Sequence, residues 1–224
     1  MFPSLGSMAP VAGVDGCRAG WLVVHDGQAA VHPGFARVLA ALPDDAVVAV
    51  DMPIGLADRH LPGGRAVDRA ARMQLGSKRA SVFSPPPRPV LGARSLDEAR
   101  RRGGRLTLQA LNLLPRIEDV DNVMTAELQR RVFEVHPELS FAAMNEGRPV
   151  LEPKRSAVGS KRRQALLARA GVPVPARPPG AALDDLLDAC ALSWSARRIA
   201  DGTARRIPDD PVRDERGLHM ELRW

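Results

Sequence analysis

The sequence predicts an α/β domain: a mixed central sheet with flanking helices and a helical insertion. Three observations carry this. VAGVDG, WLVVHDG and QAAVHPG read as three short strands joined by Gly-containing turns, an antiparallel meander. AVVAVDMP is a nearly continuous apolar run, the pattern of a strand buried on both faces. FARVLAAL and ALDDLLDACALSWSARRIA space their apolar residues with a helical period.

In chain order the start reads β-β-β-α-β. Residues 57–130 then change character. RAVDRAARMQLG is a helix ending at Gly76, and SVFSPPPRPV is a Pro-rich loop. SLDEARRR opens with Ser95 three residues before Glu98, a capping-box pattern. RLTLQALNLL and IEDVDNVM are helical or turn-like. This stretch reads as an insertion between two core strands. RRVFEVHPELSF returns to the core, with VFEV as a strand and Pro137 in the first turn of a helix. KRRQALLARAG is a basic helix stopped by Gly171, VPVPARPPG a stiff linker, and GLHMELRW a last short strand.

A chain of 224 residues, 45% hydrophobic, can bury a full core without disulfides. Residues 11–224 read as one domain and residues 1–10 as a flexible tail, because MFPSLGSMAP lacks the features of a signal peptide. No apolar run approaches the ~18–20 residues of a membrane span, so a cytoplasmic protein is expected. The two cysteines, Cys17 and Cys190, are far apart and read as small semi-buried thiols, Cys17 near the rim of any site at Asp15, with no zinc or disulfide framework. A net charge of +6 favours an anionic partner such as nucleic acid. Only three of the 32 basic residues are Lys, however, so coding bias accounts for part of it.

The strongest functional signal is carboxylate placement. Asp15 and Asp51 each end a run of core-strand residues. On the last helix Asp185 and Asp188 share a face at i, i+3, while Asp184 suits the helix dipole. Two like charges 4 Å apart cost about 4 kcal/mol at an effective dielectric near 20. Gathering Asp15, Asp51, Asp185 and Asp188 therefore calls for a cation, and an all-carboxylate set selects Mg²⁺ or Mn²⁺.

The motifs GVDGCRAGW, VDMPIGL, RAVDRAAR, LGSKRASVF, PPPR, FEVHPELSF and DDLLDA together resemble the family of predicted RNase H-like nucleases known as domain of unknown function 429. The resemblance runs from about residue 11 to the C-terminus. It implies a ribonuclease H-like fold and a metal-dependent phosphodiesterase, with Asp15, Asp51, Asp185 and Asp188 as metal ligands and Glu134 as a further catalytic acid. Glu138, one turn on, is either part of the site or a helix-start residue, and His136 a proton shuttle or structural.

Arg65, Arg69 and Arg72 fall at i, i+4, i+7 and, with Lys78 and Arg79, form either a phosphate-contacting face or a solvated one. Lys154, Lys161 and Arg162 either reach the same substrate or stay in solvent. The prolines of SPPPRP read as a rigid loop near the site rather than a docking motif. Two rivals remain: a non-catalytic RNase H-like module that binds nucleic acid or protein, and a phosphotransferase of the actin and sugar-kinase type acting on a small phosphorylated metabolite. The latter lacks a second Gly-rich phosphate loop here.

Overall fold

The computed structural model describes residues 9–224. The expected meander forms as β1 (Val11–Cys17), β2 (Gly20–His25) and β3 (Gln28–His32). Asp26 and Gly27 both take positive φ in the two-residue turn between β2 and β3, the geometry that suits strand twist. Next come α1 (Phe35–Ala41) and β4 (Val47–Val50), which runs parallel to β1 with Val50 beside Val14. β5 (Val132–Glu134) lies parallel to β4 on its far side. The sheet order is β3-β2-β1-β4-β5, a mixed five-stranded sheet.

Alternation along the central strands sends side chains to two faces. Ala12, Val14, Val48 and Val50 pack with Phe35 and Val38 of α1 and with Ile117 and Val120 of α4 (Leu108–Val123). Leu22 and Val24 face α6 (Ala157–Arg169) and α7 (Leu183–Ala200), through Leu166, Leu186 and Cys190. Ala49 and Phe133 meet α2 (Ala66–Leu75), α5 (Pro137–Met144) and the second half of α7.

The long helix α7 lies directly on β1 because Gly13 has no side chain. A Cβ there would sit 2.0 Å from the Ala189 carbonyl oxygen and 2.3 Å from the Ser193 nitrogen. Both are backbone atoms, so neither can rotate away. Gly13→Ala is therefore expected to destabilise the protein by about 1–3 kcal/mol or more, read as a lower urea midpoint. An unchanged midpoint would contradict this close approach.

Residues 51–131 hold α2, α3 (Leu96–Arg101) and α4, in keeping with the helical character expected of the insertion. Ser95 caps α3 as its spacing predicts, accepting from the Glu98 amide at 3.1 Å. The two helical stretches expected at 105–124 are one helix, α4, with Pro115 inside it. Its buried stripe of Ala110, Leu114, Ile117 and Val120 holds it together across the proline. Asp119 fastens α4 to the sheet, accepting from Trp21 Nε1 at 2.6 Å and the Phe35 amide at 2.8 Å. The insertion thus supplies much of the layer that buries one face of the sheet.

Near the C-terminus β6 (Arg206–Ile207) pairs with β7 (Leu222–Arg223). The sequence showed the second of these and not the first, because two residues in an Arg-rich stretch carry no alternation. Of the expected tail, residues 1–8 lie outside the described residues. Ala9 and Pro10 are held, their carbonyls accepting from Arg197 Nη2 at 2.8 Å and the Val47 amide at 2.9 Å. Among the described residues no helix is long and apolar enough to cross a membrane.

Candidate functional site

The parallel ladder between β1 and β4 ends at Val14 and Val50, and the next residue on each strand is an Asp. The Asp51 amide donates to the Val14 carbonyl at 3.0 Å, which places the two carboxylate-bearing backbones side by side. β1 itself continues to Cys17 through its pairing with β2, so Asp15 ends the parallel ladder and not the strand as the sequence suggested. α7 crosses β1 and brings Asp188, buried to 3% exposure. α5 starts where β5 ends and carries Glu138 in its first turn. The segment before α6 contributes Lys154, whose Nζ donates to Asp188 Oδ2 at 2.7 Å and stands 3.8 Å from Asp184 Oδ2.

Burial and like charge strain this group. Burial pushes the Asp15 carboxyl well above its ordinary range; Asp51, Asp188 and Asp185 add to the rise, and Lys154 opposes it. Burial also raises Asp51, aided by Glu138 and opposed by His136 and Lys154. Asp188 is pushed up to about 6 by burial, Asp51 and Glu138, against the pull of Lys154. Burial works against the charge of Lys154, yet Asp188, Asp15 and Asp51 hold its ammonium above the usual range.

Glu138 gives one oxygen to the buried Arg163, whose Nη2 lies 2.6 Å away. Its other oxygen, Oε2, is buried without a hydrogen-bond partner among the described residues. His136 Nδ1 lies 3.2 Å from the Glu138 amide nitrogen, and Nε2 lies 3.2 Å from the Ser81 carbonyl. Asp15, Asp51, His136, Lys154 and Asp185 all line one cavity of about 440 Å³.

Of the acids the sequence singles out, Asp15 and Asp51 line this cavity, while Asp188 is buried behind Lys154, which lines it. Asp185 lines the same cavity, but its Oδ2 accepts from the Ala182 amide at 2.9 Å and so caps α7. Glu134, the further acid the resemblance implies, lines the same cavity and is paired there. It accepts two bonds from Arg65, at 2.6 and 2.9 Å, and one from the Ile54 amide at 2.8 Å. Arg65, read as a candidate phosphate contact, also lines the cavity, is 2% exposed and is paired with Asp68 at 2.8 Å. Arg69 turns back to the Gly64 carbonyl, and Arg72 to Gly63, Val82 and Ser84. Lys78 and Arg79 sit on the 3₁₀ turn Gly76–Ser81, and Lys161 is exposed on α6; none of the three lines the cavity.

Arg163 is 0% exposed, although the basic run Lys161-Arg162-Arg163 reads either as a substrate contact or as a solvated helix start. Its signal was present, three and four residues before the buried Leu166 and Leu167. Arg116 and Arg155 also line the cavity and were missed. Arg155 stands beside Lys154, but nothing in the sequence tells that α4 faces the carboxylates. Both cysteines are free thiols as expected and both are buried, with burial pushing Cys190 up to about 12. Pro86 and Pro87 are buried, which removes them from any docking role.

Hard oxygen donors in this number suit a divalent cation, and the buried, unpartnered Glu138 Oε2 is a further donor beside them. The described side chains are not drawn together as they stand: no three His, Cys, Asp or Glu among them group closely enough to hold an ion. Lys154 supplies the countercharge instead, through its pair with Asp188.

Fold and site together define a mixed α/β domain with Asp15 and Asp51 lining a cavity where its parallel ladder ends. The chain belongs to the family described as protein of unknown function (DUF429), which matches residues 13–213. No curated protein and no solved structure matches it.

Proposed function

We propose that this protein is a divalent-metal-dependent phosphodiesterase of the ribonuclease H-like class, hydrolysing a nucleic acid or a related phosphoester. One observation carries the reading: Asp15 and Asp51, where two parallel strands leave their ladder, line one cavity, and Lys154, which lines it too, pairs with the buried Asp188 of the helix that crosses them. The sheet order β3-β2-β1-β4-β5 supports the ribonuclease H-like assignment.

Mg²⁺ or Mn²⁺ would be held by Asp15, Asp51 and Asp188, with Asp185 and Glu138 at the margin. When bound, the ion would lower the pKa of a water and offset charge on the phosphoester. The protein's own groups do the rest. Asp15 and Asp51 accept hydrogen bonds from the attacking water and orient it. Asp188 is kept in place by Lys154, and Arg155 at the rim offers a guanidinium to the phosphate.

Calorimetric titration with Mn²⁺ and Mg²⁺ tests this on wild type, Asp15→Asn and Asp188→Asn. Saturable binding to wild type is expected, weakened at least tenfold in both variants, since even outer partners of a metal ligand cost about 10–100-fold. Binding unchanged in both variants would remove the proposed site. The Lys154–Asp188 pair favours the second reading in that event, a non-catalytic ribonuclease H-like module in which an ammonium takes the place of a metal.

A further inference from the structure

We infer, resting on the phosphodiesterase reading, that the site takes its phosphoester from a single nucleotide unit, either free or at the end of a strand, and not from the interior of a duplex. The carboxylates do not lie on an open edge of the sheet. Asp15, Asp51 and Asp185 line a cavity of about 440 Å³, a size typical of sites for single small molecules, about 300–1,000 Å³. Phe83, Leu113 and Arg116 from the insertion wall one side, and Lys154 and Arg155 line the cavity from a separate segment.

The insertion wall is anchored. Arg116 donates to the Gly20 carbonyl at 2.7 Å and to the Cys17 carbonyl, and Asp119, one turn on, holds Trp21 and Phe35. Gly16 permits this contact, because a Cβ there would stand 2.8 Å from Arg116 Nη1.

Charge placement agrees with the size. A duplex carries one phosphate charge per about 1.7 Å, and even single DNA-binding modules cover about 600–1,000 Å² of it. That requires a row of free cations. The row the sequence offers, Arg65, Arg69 and Arg72, is folded back onto Asp68, Glu134 and the carbonyls of Gly63, Gly64 and Val82. The cations left at the cavity are local. Arg155, its side chain 82% exposed, is held to Asp184 through Nε at 3.0 Å. One phosphate group matches that supply, and Phe83 lines the same cavity, an aromatic side chain of the kind that stacks on a base. In the reaction the oxygen of water bonds to phosphorus and the ester P–O bond breaks. The leaving oxygen takes the proton, giving a phosphate monoester and an alcohol.

Two measurements on the full chain with Mn²⁺ decide the matter. The first is calorimetric titration with thymidine 5′-monophosphate on wild type, Arg155→Ala and Phe83→Leu. Saturable binding is expected, weakened at least fivefold in each variant; no saturable binding to wild type overturns the inference. Arg155 is exposed, so its loss leaves the fold intact. The second compares a linear single strand, a covalently closed circle of the same sequence and the p-nitrophenyl ester of thymidine 5′-monophosphate. Cleavage of the linear strand and the ester, with the circle at least a hundredfold slower, supports a strand-end substrate; cleavage of the ester alone supports a free nucleotide. A circle cut as fast as the linear strand overturns the inference and upholds the phosphodiesterase reading. Nucleotide binding with no cleavage of any substrate overturns the phosphodiesterase reading and leaves the nucleotide site standing.

Discussion

Asp15→Asn is expected to make the metal-free protein more stable at neutral pH while abolishing divalent-ion binding and hydrolysis. Asp15 is 7% exposed and faces the charges of Asp51 and Asp188. An amide removes that charge and still accepts the Gly16 amide, which now donates to Asp15 Oδ1 at 2.8 Å. A gain of roughly 0.5–2 kcal/mol is expected, the usual scale when a strained functional residue is relieved.

The sign follows from the raised native pKa. The folded protein keeps this proton to higher pH than the unfolded chain, whose Asp titrates near 3.9. Above that value the unfolded chain releases protons first, so wild-type stability falls as pH rises. Asp188, pushed up to about 6, adds a fall over about pH 4 to 6. The advantage of Asp15→Asn is thus small near pH 4 and grows toward pH 7. Urea unfolding in EDTA across that range reads it directly. A variant less stable than wild type at pH 7 would show that Lys154 outweighs the repulsion.

Arg65→Met is expected to cost about 3–5 kcal/mol, the scale for removing one partner of a buried ion pair. It would leave Asp68 and Glu134 facing each other at 1% and 7% exposure with no cation between them. It would also release the carbonyls of Ile54 and Gly55, which accept from Arg65 Nη1 at 3.0 and 2.9 Å. Those residues follow Asp51, so divalent-ion binding should weaken along with stability. Arg65→Lys should recover little, because an ammonium cannot make the forked contacts to both carboxylates. A loss below 1 kcal/mol in urea unfolding would show that the network contributes no net stability.

The candidate site was legible where local pattern and chemistry coincide. Asp15 and Asp51 interrupt apolar runs that must be buried, and a buried strand has no use for a charge unless something binds it. Asp188 stood out because it lies beyond the first turn of its helix, where a dipole role fades. The pairing of Arg65 with Glu134 was not legible, for the opposite reason. Both charges fit a phosphate or metal site by type, and only their meeting across 69 positions of chain neutralises them. Glu138 and Arg163 were undervalued on the same ground, since each looks like a helix-start charge until its partner, 25 positions away, is known.

By itself, then, the sequence determined the strand and helix content, the alternation of the meander, the helical nature of the insertion and three of the carboxylates. These are written in periods of two and 3.6 residues and in single residues that break them. The tertiary structure alone decided which charges pair with each other and which remain for a ligand. It also decided that the insertion walls the site, and that Gly13 serves the approach of α7 rather than a turn. Those outcomes depend on distances between residues far apart in the chain, and such distances leave no local pattern to read.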